Sequence, residues 1–255
     1  MGAVIGARTR VVATARAVAL GLLATGLAAC EAPNAPPAAA SGAVDTAADA
    51  VKAPVADAAR AAAADLVLPA DAPLPTGLSL GADGFTDTLT GLQLAAQPGM
   101  TWHRDLHTHY LTAQGWTAFA PAGQAGTALA ALRLDGSNDI TAAELRIGRS
   151  DDPQVVTACT EPPSEAQGTP EPVELDGVTF LHYHAEDAAM SHYLQVDGYR
   201  GLRQGQCVAI DLIVSGTRPE VYDPPRQAPF AVADAQARLR EALSQIRWLP
   251  SPGAH

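Results

Sequence analysis

The composition of the chain breaks at residue 66, and that break limits where a core can form. Residues 31–65 hold 17 alanines in 35 positions, and no leucine, isoleucine or aromatic side chain. Such a stretch has too little apolar surface to offset the entropy of ordering its backbone, so a linker is expected there. Pro33, Pro36, Pro37 and Pro54 interrupt any long helix within it. As a flexible coil its ends stand roughly 30–35 Å apart. Leucines, aromatics and alternating patterns begin at Leu66, which places the folded body in residues 66–250 and leaves 251–255 as a tail. The body could divide into two halves, 66–150 and 151–250. No repeat links those halves, which favours one unit.

Within the body, residues 78–80 and 88–95 read as strands separated by Gly81-Ala82-Asp83-Gly84. In residues 100–114, Trp102, Leu106, Tyr110 and Ala113 recur at three- and four-residue steps, which predicts a helix with Gly115 as its C-cap. Residues 116–119 read as a strand. Residues 128–134 and 140–148 read as a hairpin around the turn-rich 135–139. Residues 151–172 are polar and proline-containing and read as a long loop. Strands follow at 178–184, 193–199 and 206–215. In the last, Val208, Ile210, Leu212 and Val214 share one face, and Cys207, Ala209, Asp211 and Ile213 share the other. Val232, Ala235, Leu239, Leu243 and Ile246 then form the apolar stripe of a closing helix, with Asp234 and Arg247 suited to its dipole. The expected class is α+β: a mostly antiparallel sheet with one helix in the first half and one at the C-terminus.

The start of the chain has a different character. Arg8, Arg10 and Arg16 precede an apolar run from Ala17 to Ala29 that contains no charge. Thirteen helical residues span roughly 20 Å, short of the ~30 Å bilayer core, so residues 1–29 read as a secretory signal peptide. The run ends in Leu27-Ala28-Ala29-Cys30, which resembles the lipobox of bacterial lipoproteins. In that family the peptide is cut before the cysteine. Its thiol takes a diacylglyceryl group, and its new amino group is usually acylated. The resemblance implies lipidation at Cys30 and residues 30–65 as the tether of a membrane-anchored protein of the cell envelope. Glu31 in place of the inner-membrane retention aspartate implies the outer membrane, facing the periplasm. A second set of residues, Gly177-Val178-Thr179-Phe180, Asp187-Ala188-Ala189-Met190, Tyr199-Arg200 and Cys207 before the closing helix, resembles uncharacterised envelope lipoproteins of Gram-negative bacteria. It implies a location and no activity.

Charge agrees with a lipid anchor. The net charge is −11; removing residues 1–29 takes three of the 16 cations and none of the 27 acids, which leaves −14. An acidic body is repelled by anionic headgroups and by nucleic-acid phosphates, so attachment falls to the lipid and no nucleic-acid partner is expected.

With Cys30 assigned to lipid, Cys159 and Cys207 remain, in a compartment that oxidises thiols. A structural disulfide is the expectation. It closes a loop of nearly 50 residues, worth about 4 kcal/mol by loop-closure entropy. A redox-active pair is disfavoured, because neither cysteine stands in a Cys-X-X-Cys at a helix start.

Seven histidines are the one hint of metal chemistry. On the predicted helix His103 and His107 are neighbours, while His109 points elsewhere. His182 and His184 share a strand face. A zinc or copper site from His103, His107, His182 and His184 requires that helix and strand face each other. Residues 135–144 do not make a calcium loop, since Arg133 would fall at the first ligand and Asn138 where glycine belongs. Ser191-His192 is a poor nucleophile–base pair, as adjacent strand residues point to opposite faces. No Gly-X-Ser-X-Gly element occurs, and the one lysine, Lys52, lies in the tether. The expected function is therefore a non-enzymatic binding or scaffolding module with an envelope partner and no cofactor beyond the lipid. Histidine-based metal binding or hydrolysis is the alternative.

Overall fold

Period-two patterning becomes two antiparallel sheets in the computed structural model, which describes residues 73–106, 115–121 and 123–250. The expected signal peptide, Cys30, the expected tether, His107, His109 and the expected tail lie outside the described residues. The first sheet has the order β1-β2-β3-β11, from Leu78–Gly81, Gly84–Asp87, Leu92–Ala95 and Arg247–Trp248. The second has the order β4-β5-β6-β10-β9-β8-β7. Its strands are β4 (Met100–His103), β5 (Thr127–Leu134), β6 (Ala142–Ser150), β7 (Ala166–Leu175), β8 (Val178–Ala189), β9 (His192–Arg203) and β10 (Gln206–Thr217). Helix α1 is Pro153–Thr157, a single 3₁₀ turn is Pro219–Val221, and α2 is Val232–Ser244. Strands β7 to β10 form a meander, and β10 pairs with β6, so the large sheet draws strands from both sides of residue 150.

The alternation read on β10 sets the layers. Val208, Ile210, Leu212 and Val214 share a core with Leu145 and Ile147 of β6, Phe180 of β8, and Ala235, Leu239, Ala242, Leu243 and Ile246 at and beyond α2. Phe85, Leu92 and Leu94 of the small sheet join that core. One face of the large sheet is therefore covered by α2 and the small sheet. Each fully buried Leu, Ile or Phe contributes on the order of 1.5–3 kcal/mol. The two sheets are also joined by ions. Arg149 on β6 pairs with the buried Asp87 of β2 and donates to the Thr76 carbonyl at 2.7 Å, and Thr90 Oγ1 donates to Asp87 at 2.7 Å.

The expected antiparallel sheet and closing helix are present, but the helix ends at Ser244 and Arg247, expected near its end, lies in β11; the expected helix at 100–114 is absent as far as residue 106. Met100–His103 is an edge strand, with Met100 opposite Leu134 and Trp102 opposite Leu132. Trp102 stands at helical spacing from Leu106 but at strand spacing from Met100, and the unpaired edge of β5 decides for the strand. Residues 116–119 are a bend and turn, not a strand. The amide of Ala118 donates to the carboxylate of Asp211 at 2.7 Å, a side chain taking the place of a neighbouring strand. Residues 88–95 split, with β3 starting at Leu92 after a turn closed by Gly91 N–H to the Asp87 carbonyl.

The expected loop at 151–172 contains two elements. Asp152 caps α1, its carboxylate accepting from the Gln154 and Val155 amides at 2.9 and 3.2 Å, with Pro153 in the first turn. β7 tolerates Pro170 and Pro172 because it is the sheet's outermost strand and pairs on one side only.

Candidate binding cleft

The second face of the large sheet carries charge where an ordinary sandwich carries aliphatics. Cross-strand partners share a face. Arg146 lies opposite Asp211, Asp211 opposite Gly198, and Gly198 opposite Tyr183, one row across four strands. All of these side chains are buried, as are Glu144 and Arg200 on the same face. Arg200 donates to Asp211 Oδ1 at 2.7 Å, to the Tyr183 hydroxyl at 2.6 Å and to the Tyr199 carbonyl at 3.0 Å. The other oxygen of Asp211 accepts from Ala118, as above. Arg146 donates to Glu144 Oε1 at 2.7 Å, and Arg133 donates to Glu144 Oε2 at 3.3 Å. Burial disfavours the charge on Arg200, but the Asp211 carboxylate outweighs it and raises the guanidinium pKa above its ordinary value.

Two apolar clusters cover parts of this face. Trp116 packs with Val155, Cys159, Cys207 and Ala209, and Ala118 packs with Leu194, Val196 and Ile213. Trp116 sits close because β6 offers Gly148 beneath it, where a Cβ would collide with the Trp116 backbone. Cys159 and Cys207 form a disulfide, with Cα atoms 5.5 Å apart, that ties the segment after α1 to β10.

Between these coverings lies a half-open cleft of about 580 Å³, within the usual range for small-ligand sites. Buried Tyr183, Arg200 and the disulfide line its depth, residues 116–121 and 162–165 line its sides, and exposed Glu161, Glu165 and Asp187 line its mouth. Burial above all holds the Tyr183 phenol far above its ordinary pKa, so it stays protonated. The indole Nε1 of Trp116 is buried without a hydrogen-bond partner among the described residues.

The histidines are distributed otherwise than a four-histidine site requires. Trp102, Leu132, Leu145, Leu212, Asp197 and His184 are successive cross-strand partners and share the core-side face. His103, next to Trp102, is on the opposite face, five strand spacings or roughly 24 Å from β8. His103 therefore does not join His182 and His184, and the strand at 100–103 removes the helix that was to present it. His182 and His184 do lie together, on carboxylates. His184 reaches Asp197 Oδ1 at 3.0 Å through Nδ1 and Glu186 at 3.1 Å through Nε2. His182 lies 3.7 Å from Glu171 and 3.6 Å from Asp197, and stacks on Tyr199. Arg240 of α2 reaches the other Asp197 oxygen at 3.3 Å. Partial burial lowers the His184 pKa, but the hydrogen bonds to Asp197 and Glu186 outweigh it and leave the imidazole raised. Among the described residues, no group of three or more His, Cys, Asp or Glu is arranged to hold a metal ion.

Sequence reading missed Tyr183 and Arg200 as members of the cleft, and Glu144 and Arg146 as members of the charged face beside it. Its available signal was Asp211, a lone acid inside the apolar run of β10, which demands a buried cation nearby. Comparison with family models, curated proteins and solved structures returns no match for this chain.

Proposed function

We propose that this chain is a lipid-anchored envelope protein whose β-rich body is a non-enzymatic binding module, with the cleft over Tyr183 and Arg200 as its ligand site. The cleft carries the reading. It has ligand-sized volume, aromatic sides and a depth of buried polar groups already held by one another. Its pairs are saturated: Arg200 is held by Asp211, and Asp211 by Arg200 and Ala118. Such groups supply a rigid, preorganised surface and no free nucleophile or base.

The lipobox resemblance at Leu27-Ala28-Ala29-Cys30 supports the anchor, and the alanine-rich tether supports a body standing clear of the bilayer. A compartment that forms disulfides suits the Cys159–Cys207 bridge. Two experiments test the halves of the proposal. Cys30→Ser in the full chain is expected to move the protein from the membrane fraction to the soluble one and to abolish lipid-dependent mass. Sedimentation with membranes unchanged would remove the anchor. For the cleft, small-molecule fractions of the envelope are titrated against the ¹⁵N-labelled full chain, with shifts expected at Ala118, Tyr183 and Arg200. No fraction moving those resonances would remove the binding role.

A further inference from the structure

We infer that the cleft accepts a small organic cation with an apolar body, such as an aryl- or alkylammonium. This rests on the cleft being a ligand site, as proposed above, and adds the chemistry of the ligand. Three carboxylates, Glu161, Glu165 and Asp187, line its mouth, all of them exposed. Among the described residues, Arg200 is the one basic residue lining it, and Arg200 is committed. Its guanidinium is bonded to Asp211, to the Tyr183 hydroxyl and to the Tyr199 carbonyl, and the residue is 6% exposed. Its charge is cancelled locally by Asp211, so the mouth carboxylates set the sign of the potential that an entering molecule meets.

The sides fit the same ligand. Trp116, Phe119 and Tyr183 line the cleft among alanines and prolines; Phe119 is the more exposed ring, and the Arg200 guanidinium already stands 5.2 Å from the centroid of the buried Tyr183 ring. Aromatic faces attract cations and tolerate the apolar body that carries them. An anion would meet the mouth carboxylates with no free cation among the described residues to receive it, and a neutral apolar ligand would leave their charge unused.

The test uses the full chain in a non-ionic detergent, ¹⁵N-labelled, at moderate salt. Benzyltrimethylammonium, benzylsulfonate and benzyl alcohol are the probes, of similar ring and different charge. The ammonium is expected to shift the Ala118 and Phe119 amides and the Trp116 indole saturably, with the sulfonate inert and the alcohol weak. Glu165→Gln together with Asp187→Asn is expected to weaken the ammonium about three- to tenfold. These residues are exposed, so an unchanged melting temperature verifies the fold. Binding of the sulfonate or alcohol as tightly as the ammonium would overturn the cationic assignment and leave the binding cleft standing. An ammonium affinity unchanged in the double variant would overturn it as well. No shift from any of the three probes also overturns it. Only if the envelope fractions above are silent too does the binding role fall with it.

Discussion

The phenol ring of Tyr183 lies over Gly198, the residue directly opposite it on β9, so closely that a Cβ at position 198 would occupy the ring. The missing side chain lets the ring lie down along β9 and brings its hydroxyl 2.6 Å from Arg200, two residues further along the same face. One glycine thereby aims the deepest polar group of the cleft.

Gly198→Ala should therefore displace Tyr183 and cost about 1–3 kcal/mol, the usual penalty for an added methyl in a packed interior. Urea unfolding measures the loss. Gly198→Ala combined with Tyr183→Ala should cost less than the two single changes added together, because the collision disappears. Strict additivity would show that the ring does not depend on the glycine.

Asp211→Ala leaves the Arg200 guanidinium buried without its carboxylate. Breaking one side of a buried pair typically costs 3–5 kcal/mol, whereas replacing both partners by apolar residues is often nearly neutral. The double variant Arg200→Met/Asp211→Leu should accordingly be more stable than Asp211→Ala alone. Matched denaturation curves for the three proteins decide the point. A double variant no better than the single would show that the charges act independently.

The His184 cluster predicts a pH dependence with a definite sign. Its pKa is raised above the ordinary 6.5 in the folded protein. The protonated form is thus favoured by folding, and that stabilisation is complete below about pH 6.5 and disappears as pH rises through the higher folded value. Asp197 has the opposite sense. Burial raises its pKa, but the neighbouring imidazoles of His182 and His184, the latter hydrogen-bonded to it, outweigh that and leave it lowered. Its stabilisation is present above the ordinary carboxylate range and fades as pH falls through the depressed value. Urea midpoints should fall between pH 6 and pH 8.5, and His184→Gln should flatten that slope. An identical slope in the variant would assign the pH dependence to other groups.

Cys159→Ser/Cys207→Ser removes a bridge across 48 residues of sequence, with an expected loss of about 4 kcal/mol by loop-closure entropy. The cleft should loosen with it, because the bridge ties its 158–165 side to β10. Faster amide exchange at Ala158 and Glu161 than at Ile210 would report that loosening. Retained protection at both would place the stabilisation in the unfolded chain alone.

The body's strands were largely legible because their chemistry is local. Alternation on β10 named its two faces, and the stripe of Ala235, Leu239, Leu243 and Ile246 named the buried side of α2. Short segments were less legible. Trp102 fits a helical series with Leu106 and a strand series with Met100, and the partner strand β5 chose between them. Residues 116–119 have strand-forming side chains, yet Ala118 spends its amide on Asp211, which no local pattern encodes. Of the cleft, the Cys159–Cys207 pair in its depth was read beforehand, whereas Tyr183 and Arg200 were not.

By itself, the sequence determined where strands alternate and which stripe of the closing helix is apolar, since these follow from period along one chain. Tertiary structure alone decided that β10 sits between β6 and β9. That neighbourhood puts Arg146, Asp211, Gly198 and Tyr183 in one row and puts His103 across the sheet from His182 and His184. Strand order is set by the summed burial of both faces, a non-local quantity, and a charged row becomes a site only when its members arrive from four strands.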